Sequence, residues 1–234
     1  MLFTKRWVKI AVAVIALAIA SSFVIATMAS ATPSFHDQVS RTGSSFVRLL
    51  NKLSVDNRPT SHGGYQRTLF KVWGDGNGDG CNTRSDVLRD ESSRPVTTGS
   101  TRCTVKTGRW WSAYDNIIII TVASKLDIDH FVPLSEAWKS GAYKWSKPRR
   151  DAFANDENYP YSLIAVSAST NRSKSDQDPV DWMPPNRGYW CSYAATWVAV
   201  KYRWSLSVDA SEKSTLTRIL SRCGKIGIPI PDKA

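Results

Sequence analysis

Four cysteines, Cys81, Cys103, Cys191 and Cys223, most constrain what this chain can fold into. They follow an N-terminal stretch in which Lys5, Arg6 and Lys9 precede an apolar run from Ile10 to about Ala29. Ala29-Ser30-Ala31 supplies an A-x-A pattern, so residues 1–31 read as a secretory signal cleaved after Ala31. The apolar run is also long enough to cross a bilayer, which makes an uncleaved N-terminal membrane anchor the alternative. Either way the domain is expected outside the cytoplasm, secreted or extracytoplasmic, where an even set of cysteines pairs as disulfides. Three pairings are open. The two local ones, Cys81–Cys103 and Cys191–Cys223, are favoured because each closes a compact unit. No C-x-x-C occurs, which argues against a zinc ribbon or knuckle.

The formal net charge is +11, from 31 Lys and Arg against 20 Asp and Glu. Residues 1–31 carry three basic and no acidic side chains, so removing them still leaves 28 basic against 20 acidic. Such a balance suits an acidic partner: nucleic acid, anionic lipid or a wall polymer. At 234 residues and 42% hydrophobic content the chain can build one ordinary core and is not a disordered polymer.

Residues 32–62 are polar and rich in Ser, Thr and Asn, a tether with one short amphipathic helix in SSFVRLLNKLSV. Residues 63–234 form the expected functional domain, read as a monomer. Its first part, 63–108, is full of turn formers (GDGNGDG, SSRP, TTGST) and reads as irregular and disulfide-stapled. NIIIITV at 116–122 is a β-branched strand, LDIDHFV a second extended piece ending at Pro133, and SLIAV at 162–166 a third strand. Ser135-Glu136-Ala137-Trp138 opens a helix that Gly141 stops, and PRRDAFAND is a second short helix. The C-terminal part, about 189–223, reads as a helical hairpin. Trp190, Tyr193, Ala194, Trp197 and Trp204 recur at helical spacing as core, Asp209 and Glu212 resemble a capping box, and Leu216, Ile219, Leu220 and Cys223 form a second stripe.

Chemistry concentrates in LDIDHFVPL and, 41 residues after its histidine, NRSKSD. The chain has three histidines, His36, His62 and His130; His130 directly follows Asp129, with Asp127 two residues before that. Phosphodiester hydrolysis needs a group to take a proton from water and positive charge to neutralise the phosphate. A neutral imidazole suits the first task. A hard divalent cation on oxygen ligands suits the second, and Asp129 with the amide oxygen of Asn171 makes such a pair. Arg172 and Lys174 would add phosphate contacts. In a regular strand Asp127 and Asp129 face away from His130, so a shared site needs a bend near 129–131.

LDIDHFVPL together with AVSASTNRSKSDQDP resembles the HNH, or ββα-metal, endonucleases, and is closest to the secreted GmrSD-type HNH family. The D-x-D-H-x-V-P and N-R-x-K-x-D pattern also resembles the HNH domain of RNA-guided CRISPR effector nucleases. GGYQRTLF, WGDGNGDGCNTRSDVLRDE, SEAWKSGA, FAND and DPVDWMPP look like further family segments. The resemblance implies an α+β fold with a ββα-metal core near 109–186, flanked by disulfide-stapled segments. It implies His130 as general base, Asp129 and Asn171 as ligands of magnesium or manganese, and cleavage of nucleic acid, DNA by expectation, to give a 5′-phosphate. Asp127, Glu136 and Ser162 are supporting candidates. Ser162 stands where many HNH enzymes have a central asparagine, with Asn155 or Asn158 as substitutes from the preceding loop.

A second motif lies at DGNGDGCNTRSD, residues 75–86. Asp75, Asn77, Asp79 and Asp86 hold the first, third, fifth and twelfth positions of a calcium loop, with Gly80 at the sixth. Any calcium there would be structural and separate from the catalytic ion. The competing reading of the whole chain is a non-catalytic surface protein that holds DNA or wall polymer through its basic charge and tryptophans.

Overall fold

A computed structural model describes residues 41–57, 64–119 and 122–234. The expected leader, residues 32–40 and 58–62 of the expected tether, His36 and His62 lie outside the described residues. Among the described residues, seven α-helices and six short strands follow one another in a mixed α+β arrangement: α1 Gly43–Leu50, α2 Thr83–Asp90, β1 Thr97–Thr98, β2 Val105–Thr107, β3 Trp110–Ser112, β4 Ile117–Ile119, β5 Leu126–His130, α3 Leu134–Lys139, α4 Lys147–Ala154, β6 Leu163–Ser167, α5 Ala168–Lys174, α6 Trp190–Arg203 and α7 Ala210–Leu220.

The strands pair in three antiparallel couples, β1–β2, β3–β4 and β5–β6. The isoleucine strand and the histidine strand, neighbours in sequence, do not pair with each other. Ile117–Ile119 pair with Trp110–Ser112, and β5 pairs instead with β6, placing His130 opposite Leu163 and Asp129 opposite Ile164. The insertion between β5 and β6 carries α3 and α4.

Residues 63–108 are less irregular than their composition suggests. Helix α2 forms there because Asn82 accepts the Ser85 N–H at its start and Val87 and Leu88 find a core to enter. LFKVW, strand-like in composition, is no strand: its first residue, Leu69, ends a 3₁₀ turn at Arg67–Leu69 and Phe70 enters the core. The two disulfides are Cys81–Cys103, which ties the start of α2 to the β1–β2 turn, and Cys191–Cys223, which ties α6 to the end of α7.

The β5–β6 pair separates two apolar clusters. Leu126, Ile128, Leu163 and Ala165 pack with Val87, Leu88 and Trp110. Ile164 and Val166, on the other face, join the larger core of α1, α6 and α7, in which Tyr193, Trp197, Leu216 and Leu220 are buried. The tryptophan stripe of α6 is thus packing surface. Asp209 and Glu212 form a true capping box on α7.

Candidate active site

Strand β5 alternates, and its two faces receive different chemistry. Asp127 and Asp129 point to the side on which α5 lies. Helix α5 follows β6 without a loop, so its residues fall directly over the carboxylates. Asn171 Nδ2 donates to Asp127 Oδ2 at 3.3 Å, and Lys174 Nζ donates to Asp129 Oδ2 at 2.6 Å. Tyr114 Oη donates to the same Asp129 oxygen at 2.6 Å. Both bonds fall on Oδ2, which leaves Oδ1 of Asp129 outside them. Burial raises the Asp129 carboxyl above its usual range, against the pull of Lys174 and the hydrogen bond from Tyr114. Burial likewise lowers the Lys174 ammonium, against the attraction of Asp129.

His130 lies on the other face. Its Nε2 is 2.9 Å from the carbonyl oxygen of Ala154 at the end of α4. A carbonyl only accepts, so Nε2 carries the proton and the neutral ring keeps its lone pair on Nδ1. Trp73 covers the imidazole at 5.5 Å between ring centroids. Burial pushes the imidazole down to about 4, with the positive charges of Arg67 and Lys174 adding to the shift. The ring is therefore neutral at physiological pH, the form a general base requires.

Past His130 the chain leaves the sheet: Phe131 N–H still donates to Ser162 O, and Pro133 then opens α3. A cleft of about 400 Å³ forms where the two faces of β5 meet at this end. Asp129, His130, Asn171, Arg172, Tyr65 and Arg67 line it. Ser135 Oγ donates to Asp176 Oδ2 at 3.1 Å across its rim. A larger cleft of about 610 Å³, walled by Trp111, Tyr161 and Tyr189, holds no histidine.

Several expected residues take other positions. Lys174 is fully buried on Asp129 Oδ2 and His130 O, so its ammonium does not meet a phosphate from the surface. A lysine in a polar stretch gives no sequence sign of such burial. Glu136 turns away from the cleft and pairs with Lys201 at 2.8 Å, in a buried group that includes Glu212. Ser162 donates to Asp156 Oδ2 at 2.7 Å; the imidazole is held by the Ala154 carbonyl instead. Arg172 stays exposed, 3.6 Å from Asp127. The sequence assigns no role to Tyr114, Trp73 or Arg67: Arg67 and Trp73 fall in GGYQRTLF and WGDGNGDGCNTRSDVLRDE, but nothing in those segments says that they reach His130, and Tyr114 lies outside every motif.

In the loop at 75–86, Asp75 accepts the N–H groups of Gly78 and Gly80, and Asp79 accepts that of Cys81. Among the described residues, Asp79, Cys81 and Asp86 place potential ligand atoms within 4.8 Å of one another.

Residues 82–219, more than half of the chain, match the model of the GmrSD restriction endonucleases, C-terminal domain. The chain belongs to this family. Its β5, β6 and α5 all lie inside the matched span, whereas Tyr65, Arg67 and Trp73 precede it. Membership of the GmrSD C-terminal family makes the chain nuclease-related. A relative from Arthroderma benhamiae, named an uncharacterized secreted protein, is 46% identical over 176 residues, 75% of this chain and 83% of the relative. No solved structure matches the chain.

Proposed function

We propose that this GmrSD-family chain is an exported, metal-dependent endonuclease that hydrolyses phosphodiester bonds of DNA with low sequence preference. The observation that carries the reading is the anchoring of His130 Nε2 on the Ala154 carbonyl, which leaves Nδ1 with its lone pair in a residue that lines one cleft with Asp129 and Asn171. Strands β5 and β6 with helix α5 serve as the ββα core, inside the 109–186 segment. The disulfides, the family relative's secretion and the leader-like residues 1–31 support export.

The donor set fits a hard divalent cation. Asp129 offers Oδ1, and Asn171 an amide oxygen once its nitrogen is turned to Asp127. Magnesium is the natural occupant of such oxygens, with manganese the close alternative. When bound, the ion supplies Lewis-acid charge against the phosphate and the departing 3′-oxygen. His130 takes a proton from the attacking water at Nδ1. Lys174 and Tyr114 fix the Asp129 carboxylate in one orientation. Arg67 and Arg172, both exposed at the cleft, meet the backbone phosphates.

Metal-stripped protein tests the metal half of this reading. Supercoiled plasmid should be nicked on addition of magnesium, and Asn171→Ala should require far more magnesium or fail. Equal nicking by native protein with and without chelator would refute it.

A further inference from the structure

We propose that the loop from Asp75 to Asp86, closed by Glu157 from the segment after α4, binds a structural calcium ion that stiffens the backing of His130. The ion site stands on its own geometry; its effect on His130 rests on the reading of that residue as the base.

Two buried carboxylate oxygens at this loop have no hydrogen-bond partner, Asp86 Oδ2 and Glu157 Oε1. Asp86 is only 3% exposed. Buried, unpartnered carboxylate oxygens are costly, and an ion that reached them would remove the cost. The surrounding charge agrees. Burial raises the Asp86 carboxyl, with the negative charge of Asp79 adding to it, and burial with the charges of Asp86, Asp90 and Asp79 raises that of Glu157. Two arginines balance part of this charge without reaching either orphan oxygen. Arg89 bonds Asp86 Oδ1 at 2.9 Å, and Arg102 lies 3.5 Å from Asp79 Oδ2.

Glu157 was not part of the loop motif. It reaches the loop because residue 76 is glycine: a Cβ there would stand 2.9 Å from Glu157 Oε1. Asn77 Nδ2 holds the other oxygen, Oε2, at 3.2 Å. Glu157 thus adds a carboxylate from a second segment beside Gly76 and Asn77. Cys81 Sγ is bonded to Cys103 and is no thiolate, so the donors left are hard oxygens. A set of mixed carboxylates and amide from two segments suits calcium, which tolerates irregular shells, better than magnesium, which demands a near-ideal octahedron.

The loop is bolted to the base. Asn155 Oδ1 accepts from Gly74 N–H at 2.8 Å and from Thr83 Oγ1 at 3.1 Å. Asn155 directly follows Ala154, whose carbonyl holds His130, and Trp73, which covers the imidazole, directly precedes Gly74. Ordering the loop therefore orders both groups that fix the ring.

The test is thermal unfolding of the full chain, stripped with EGTA and titrated with calcium alone. Saturating calcium should raise Tm on the order of 5 °C. Asp86→Asn and Glu157→Gln should each remove most of the shift, while Asn171→Ala should keep it. Should Asp86→Asn fail to fold, Glu157→Gln at its partly exposed position decides. No shift up to about 10 mM calcium, above the range of extracellular modules, overturns the proposal. So does a shift that survives Glu157→Gln and disappears in Asn171→Ala, because calcium would then sit at the catalytic cleft. A shift that behaves as expected in a protein that cleaves no plasmid leaves the calcium site standing and removes the catalytic reading alone.

Discussion

Lys174 Nζ lies 2.6 Å from Asp129 Oδ2, with the lysine side chain 0% and the aspartate side chain 8% exposed. Two rungs join strand to helix here, Asn171 over Asp127 and Lys174 over Asp129. The i, i+3 step of a helix matches the i, i+2 step of a strand closely enough for both to form. The pair fixes the carboxylate proposed to hold the metal, and it does so from the protein's own interior.

Removing one partner leaves a buried charge uncompensated. Lys174→Met should destabilise the metal-free protein by about 3–5 kcal/mol in urea unfolding. The double change Lys174→Met with Asp129→Asn should recover most of that loss. A loss under about 1 kcal/mol for the single change would mean that the pair is not closed in solution.

The arginines at the cleft act on substrate, not on the proton. Arg67→Ala and Arg172→Ala should each raise KM with little change in kcat, and each should reduce the salt dependence of DNA binding by about one counterion. Fluorescence anisotropy with a labelled duplex across a salt series reads this directly.

Glu91 makes stability depend on pH. Burial pushes its carboxyl up to about 8, although Oε2 accepts the Ala165 N–H at 3.0 Å. The unfolded chain titrates this group near the ordinary value of 4.5. Between those values the folded state binds the extra proton, so the group's contribution is complete at low pH and lost as pH rises towards 8. Glu91→Gln should remove a decline on the order of 1–2 kcal/mol between pH 5 and 8, discounted for the solvent that still reaches the side chain. Denaturation midpoints of both proteins at several pH values give the difference.

The bridge from Cys191 to Cys223 spans 32 residues and clamps α6 to α7. Replacing both cysteines with alanine should cost about 3–4 kcal/mol, mostly through the freedom returned to the unfolded chain. Calorimetry of the two forms would show it as a lower Tm with the same fold.

The sequence disclosed the parts of the site that are local and repeated in kind. Asp127, Asp129 and His130 sit in one strand, Asn171 sits within one short helix, and the stripe of α6 and capping box of α7 follow from spacing alone. What it hid depends on distance. β5 pairs with β6 across 32 intervening residues, and nothing in the isoleucine run says that Trp110–Ser112 is its partner. Helix α2 lay behind glycines and turn residues that mark the loop before it. Lys174 reads as a surface lysine until Tyr114 and Asp129 are seen around it. The hold on His130 comes from a backbone carbonyl, which no side-chain pattern encodes. The bend anticipated after Asp129 proves to be the end of the strand at His130, where both faces open onto one cleft.

The most direct test of the central claim is plasmid nicking by His130→Ala protein, purified free of host nuclease and supplied with magnesium. His130 acts as the base in this account, so the variant should retain its fold by circular dichroism and lose about 10²–10⁴-fold in rate. A folded His130→Ala protein that nicks plasmid as fast as the native chain would contradict it.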